Sequence, residues 1–242
     1  MNRTYLWVSL VFEVLERELK LTPKNATSIV NNLPQTVGHA YEAMLNKSPD
    51  KSLARKLLYM VLFAERPMTL AEMNIALNIT DDCKSFEDID RQDTDELLKT
   101  QIRTLCGLFL SIVGSKIYLI HQTAKEFLIS APEIAAGSSS NYGTLPLWES
   151  TFVPYIGHQI LARACISYLF LFEDDTIPPR QTKHAFLNYS ARYWTLHFRE
   201  AKVTKRHSEI AKSALALCDI DSKRCITLSI NTYLKHDQET LL

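Results

Sequence analysis

LCGLFLSIVGSKIYLIHQTAKEFLI, residues 105–129, decides how this chain is read. Two short runs of large apolar and β-branched side chains, Leu108–Val113 and Lys116–Ile120, flank Gly114 and Ser115. Turn residues between two such runs predict a tight antiparallel hairpin. His121 follows the second run directly, and Ala124, Phe127 and Leu128 then recur at helical spacing. The stretch therefore reads as a hairpin whose second strand ends on a histidine that opens a helix.

Upstream of the hairpin the periodicity is helical. Leu53, Leu57, Leu58, Val61 and Leu62 define an amphipathic helix that stops before Arg66-Pro67, since the residue ahead of a proline is pushed out of the helical region. Thr69, with Glu72 three residues on, carries the capping-box signature and opens a short helix, TLAEMNIAL. Residues 80–95 are acidic and polar and read as an exposed loop before the helix Glu96–Cys106. Three helices followed by a hairpin is the order of a winged-helix domain, assigned to residues 50–131. Residues 1–49 form a helical segment, with an opening helix around Tyr5–Phe12, a second starting at Thr22-Pro23, and a third whose face carries Val37, Ala40, Tyr41, Met44 and Leu45. Residues 132–150, rich in Gly and Ser, read as a flexible linker. Residues 151–242 form a helical connector domain, with an apolar stripe from Ile160 to Leu169, an aromatic helix at Lys183–Ala201, and amphipathic stretches around Ser208–Cys218 and Lys223–Leu234. The predicted fold is mainly α: a helical bundle plus a winged-helix domain with one small β-hairpin, then a second helical domain.

Composition narrows the function. Lys and Arg number 27 against 27 for Asp and Glu, so the basic excess of a dedicated nucleic-acid binder is missing. The apolar run at Tyr5–Phe12 is too short to span a bilayer and is followed by Glu13, Glu16 and Glu18, which predicts a cytoplasmic chain without a membrane anchor. Five scattered cysteines, with no CxxC pair, read as reduced thiols.

No catalytic constellation is legible, and the expectation is that the chain is not an enzyme. The glycines never take the GxxxxGK[ST] spacing that wraps phosphates in backbone amides, so Walker A is absent. No GxSxG elbow is present, and His39, His158, His184, His197, His207 and His236 have no local nucleophile and read as partly buried or surface histidines. His158 and Cys165 stand seven apart, as do Cys218 and Cys225, which is a core-face spacing and not a ligand pair, so no metal is expected. Phe186, Tyr189, Tyr193 and His197 recur on one helix face and read as core, widened by Trp194 and Phe198. His121 stands apart because it sits where a strand meets a helix N-terminus, a place suited to an anion. The plain alternative is that it only caps its helix. The helix bearing Lys99, Gln101 and Arg103 would be the one to enter a DNA groove, but three polar residues behind an acidic loop make an ordinary solvated face.

Five stretches, TYLWVSLVFEVLE, LPQTVGHAYEAML, ERPMTLAEMNIAL, the hairpin region and FLNYSARYWTLHFREA, together resemble the fungal NACHT-domain proteins, signal-transduction NTPases of the STAND type related to NOD-like receptors. They resemble the region C-terminal to the P-loop: the helical domain, a winged-helix domain like that of GPI inositol-deacylase, and a helical connector that leads into ankyrin or other repeats. The resemblance implies a switch in which ADP holds the winged helix against the nucleotide-binding domain. His121 would then contact the ADP phosphate, with Ile120-His121-Gln122 standing where relatives often have Met-His-Asp. It also implies a fragment or truncated product with no cofactor of its own, ADP or ATP entering only in a complete NACHT protein. The expected partner is protein, a nucleotide-binding domain or other receptor subunits, with neither nucleic acid nor membrane. The expected role lies in fungal non-self recognition and cell death; the alternatives are a stand-alone winged-helix adaptor or decoy and, further off, a DNA-binding regulator.

Overall fold

The computed structural model describes residue 8 and residues 36–129, 147–171, 185–203 and 209–218. The helices expected at Tyr5–Phe12 (Val8 apart) and from Thr22, most of the 132–150 linker, and the Lys223–Leu234 stretch lie outside the described residues. Among the described residues the protein is mainly α, with one two-stranded antiparallel hairpin, as the periodicity predicts.

Local chemistry sets most boundaries. Helix α1, Val37–Asn46, starts at Thr36, whose hydroxyl accepts from the His39 N–H at 3.1 Å. Helix α2, Lys51–Phe63, starts after Asp50, whose carboxylate accepts from the Leu53 N–H at 2.9 Å. Helix α3, Leu70–Asn78, carries the complete capping box: Glu72 N–H donates to Thr69 Oγ1 at 3.2 Å and Thr69 N–H donates to Glu72 Oε2 at 2.8 Å. Helix α4, Asp95–Cys106, leads through a 3₁₀ turn at Gly107–Phe109 into β1, Leu110–Val113, and β2, Lys116–Leu119. Gly114 and Ser115 both have positive φ, 52° and 65°, the backbone that matches the twist of a two-residue hairpin. The first strand is shorter than the apolar run because Phe109 turns inward and is fully buried, while its carbonyl still accepts from the Ile120 N–H at 3.0 Å. Helix α5, Gln122–Ile129, follows. Beyond it come α6, Pro154–Phe170, α7, Leu187–Glu200, and α8, Glu209–Leu217.

The chain divides into two compact units: Met1–Leu58 with Lys99–Val153, and Tyr59–Leu98 with Pro154–Leu242. The units alternate along the chain, whereas the sequence segments read above run in succession, because the cuts fall inside α2 and α4.

The first unit is built around Tyr41, Phe109 and Phe127. Tyr41 and Phe109 meet edge to face at 4.9 Å, and Phe127 lies 5.4 Å from Tyr41 and 6.3 Å from Phe109. Residues 147–153 close the unit. Trp148 is fully buried, and its indole N–H donates to Asn46 Oδ1 at 3.0 Å. The Glu42 carboxylate accepts from the backbone N–H groups of Leu147, Trp148 and Glu149 at 2.9, 3.3 and 3.3 Å. Ser150 and Phe152 N–H groups donate to the carbonyls of Phe127 and Leu128, which the end of α5 leaves unpaired, at 2.9 and 3.1 Å. Arg55 lies over the Trp148 and Phe152 rings, 4.9 and 5.1 Å from their centroids, and donates to Thr151 Oγ1 at 3.0 Å. The last four residues of the segment read as a linker, 147–150, are thus part of this core; an indole with its donor satisfied outweighs the local turn-forming composition.

In the second unit α6 and α7 pack along their lengths, with α8 and α3 against α6. The acidic loop is anchored at both ends. Asp81 accepts from Arg163 Nε and Ser167 Oγ at 2.7 Å each, and Asn74 bridges Gln92, donating to its carbonyl at 2.8 Å and accepting from its N–H at 2.9 Å. Phe86 meets Tyr168 edge to face at 5.7 Å and Ile89 is buried, so the loop expected to be exposed turns two apolar side chains inward.

Trp148→Ala should lower the unfolding free energy by about 3–5 kcal/mol, the usual cost of emptying a buried aromatic site. Urea unfolding followed by far-ultraviolet circular dichroism checks it; a midpoint within experimental error of the parent would show that residues 147–153 do not close the unit.

Candidate functional site

His121 sits between β2 and α5, and three hydrogen bonds fix it. Its Nδ1 accepts from the Thr123 backbone N–H at 3.2 Å, Thr123 Oγ1 lies 3.0 Å from the same nitrogen, and the Tyr41 hydroxyl lies 3.0 Å from Thr123 Oγ1. The His121 carbonyl accepts from the Ala124 N–H at 3.0 Å. His121 is therefore an N-cap in which an imidazole nitrogen replaces the usual side-chain oxygen.

The cap also assigns the tautomer. A nitrogen that accepts from a backbone N–H carries no proton, so the neutral ring keeps its proton on Nε2. Tyr41 donates to Thr123, Thr123 donates to Nδ1, and the Nε2–H remains on the far side of a half-buried ring as a donor. Burial raises the Tyr41 phenol above its ordinary range, opposed by the Thr123 hydrogen bond, so Tyr41 stays a donor throughout the neutral range. The plain reading, a cap, and the functional one, a donor to an anion at the junction, thus share one geometry.

The structure also assembles a group that spacing does not reveal. Glu65 follows α2, His158 lies on α6 and His197 on α7, and one ligand atom from each falls within 4.8 Å of the others. His197 is fully buried; its Nδ1 is 2.9 Å from His158 Nδ1 and its Nε2 is 2.9 Å from the Tyr189 hydroxyl. That hydroxyl accepts from the Glu65 backbone N–H at 3.2 Å. The polarity follows: Tyr189 donates to His197 Nε2, and His197 Nδ1–H donates to His158 Nδ1. Burial and then the neighbouring His158 push His197 from 6.5 down to about 3, and burial lowers His158, against the pull of Glu65 and Glu200. Gly157 makes room for the Phe63 ring, which a Cβ there would strike and which stands 5.8 Å from His158. The expectation of partly buried or surface histidines thus understates His197, whose partners come from 39 and 8 residues away. No local spacing marks them; the one available signal is that His197 falls on the apolar stripe with Tyr189. Phe186 and Tyr189 are fully buried as the core reading requires, while Tyr193, Trp194 and Phe198 are half-buried.

Residues 41–142 match the family model for the winged helix domain of GPI inositol-deacylase. This part of the chain is similar to a winged-helix domain of that type. The three helices α2, α3 and α4 and the β1–β2 wing lie inside the match. The chain is also similar to the vegetative incompatibility protein HET-E-1 of Podospora anserina, at 25% identity over 215 residues. The similarity covers 82% of this chain but 15% of that relative. No solved structure matches the chain. No helix among the described residues is long and apolar enough to cross a membrane.

Two measurements test the winged-helix domain and its neighbour. His121→Ala should cost about 1 kcal/mol of stability while His121→Asn, whose oxygen can take the Thr123 N–H, keeps most of it; equal losses in denaturant titrations would rule out the cap. The neutral His197 sets a pH dependence. Unfolded, it takes up a proton below about 6.5; folded, it does not until near 3. Its contribution is therefore complete above 6.5 and lost as pH falls from 6.5 toward 3, and stability should drop by about 2 kcal/mol between pH 7.5 and 5.0. Urea titrations at the two pH values read the loss, and unchanged His197 ring resonances over the same range identify its source.

Proposed function

We propose that this chain is a regulatory and interaction segment of a NACHT-type signal-transduction NTPase, acting in the cytoplasm in fungal non-self recognition and cell death. The similarity to a vegetative incompatibility protein over 82% of the chain carries this reading. The winged helix makes the contact with a nucleotide-binding domain, and that domain brings the ADP or ATP. The partner is protein, and the chain performs no hydrolysis of its own.

The geometry supports a specific part for His121. A phosphate at the hairpin–helix junction meets an Nε2–H donor whose tautomer is fixed in advance by Tyr41 and Thr123. Such a donor senses whether the junction is occupied by an anion, and it loses no rotamer freedom on binding because the ring is already held.

The test uses a full-length protein holding both this winged helix and a P-loop domain. His121→Ala should lower the ADP retained after desalting by about tenfold or more, the worth of one hydrogen bond to a charged group. Undiminished ADP in that variant, with the domain still folded, would remove the phosphate contact. A winged helix that fails to hold the nucleotide-binding domain in either nucleotide state would leave the stand-alone adaptor.

A further inference from the structure

We propose that Glu65, His158 and His197 form a binding site for a single divalent ion of the zinc class. Two imidazoles and a carboxylate are a donor set that borderline transition ions prefer, and with three protein ligands a position remains for water. The donors come from three separate places in one compact unit: just after α2, the first half of α6 and the last turns of α7. An ion held by all three would tie these elements together.

The distances are close to those required. Around a tetrahedral zinc with bonds of about 2.05 Å, two nitrogens stand about 3.3 Å apart. The two Nδ1 atoms are 2.9 Å apart, so the rings have to separate by a few tenths of an ångström and turn until both lone pairs meet at one point. Glu65 is exposed, and one of its carboxylate oxygens already lies within 4.8 Å of a ligand nitrogen of each histidine.

The second shell is also in place. In the chain without an ion, Tyr189 donates to His197 Nε2 and one proton is shared along the Nδ1–Nδ1 axis. With the ion on both Nδ1 atoms, the His197 proton moves to Nε2 and points at the Tyr189 oxygen, and the His158 ring keeps its own on Nε2. A phenol both donates and accepts, so Tyr189 serves either tautomer. A ligating histidine that passes its other N–H to an oxygen partner is the usual support of such a site. The same Tyr189 oxygen accepts from the Glu65 backbone, so it braces two of the three ligands. Burial disfavours positive charge at His158, and the negative charges of Glu65 and Glu200 offset part of that.

This reading is independent of the nucleotide switch, which lies in the other compact unit. The test uses the full chain without an affinity tag, titrated with Co²⁺ and then Zn²⁺. One Co²⁺ per chain should bind with visible d–d absorption, Zn²⁺ should displace it, and Zn²⁺ should raise the thermal midpoint. Glu65→Gln, at an exposed position, and His158→Asn should each weaken binding by about tenfold or more, while His39→Asn should leave it unchanged. Absence of stoichiometric Co²⁺ or Zn²⁺ binding, or binding that survives Glu65→Gln and His158→Asn undiminished, overturns the site.

Discussion

Tyr41 is the constraint on which the first unit depends. It is a fully buried aromatic with a hydroxyl that must find a partner, and it solves both demands at once. Its ring meets Phe109 at the entry to the hairpin and Phe127 on α5, so the wing and the helix after it are set by one side chain. Its hydroxyl reaches Thr123, which in turn binds His121. Burying a phenol without that bond would cost more than the ring gains in selectivity of packing, so the core and the junction are built together. The position of His121 is therefore a consequence of how α1 packs, not only of the strand and helix that flank it.

Residues 147–153 apply the same rule elsewhere. The end of α5 leaves carbonyls unpaired, the start of this returning segment leaves N–H groups unpaired, and each supplies part of what the other lacks. Glu42 collects three backbone donors with one carboxylate, and Arg55 covers the Trp148 face. In the second unit polar groups are satisfied in pairs of unusual character. Arg66 and Glu72 join in a two-pronged ion pair at 2.6 and 2.9 Å, and Glu72 also completes the α3 capping box. Beside them the Tyr189–His197–His158 chain places two neutral imidazoles nitrogen to nitrogen. Burial disfavours the protonated imidazoles of His197 and His158 and the ionised phenol of Tyr189.

Much of the fold and half of the candidate chemistry were legible from residue order. The Gly114-Ser115 turn, the Thr69–Glu72 box, the helical spacing after His121 and the apolar face of α1 are local rules, each depending on residues within four positions of one another. His121 was legible for the same reason, as a histidine at a strand–helix boundary. His158 and His197 were not, because their meeting depends on how two helices pack around Gly157 and Phe63. Trp148 was hidden too: turn-rich composition around it reads as linker, and the pocket that receives it is made by Glu42, Asn46 and Arg55, about a hundred residues earlier.

The sequence by itself determined the helix order, the wing, the Thr69–Glu72 capping box and the family likeness that residues 41–142 bear out. The first three are set by short-range backbone and periodicity rules, which the chain states in its own order; the likeness rests on matching stretches. Only the tertiary structure decided which His121 nitrogen carries the proton, where the returning Trp148 segment lodges, and that Glu65, His158 and His197 converge. Those depend on hydrogen bonds and packing between residues distant in sequence, where burial removes water as an alternative partner and leaves each polar group to the neighbour the fold provides.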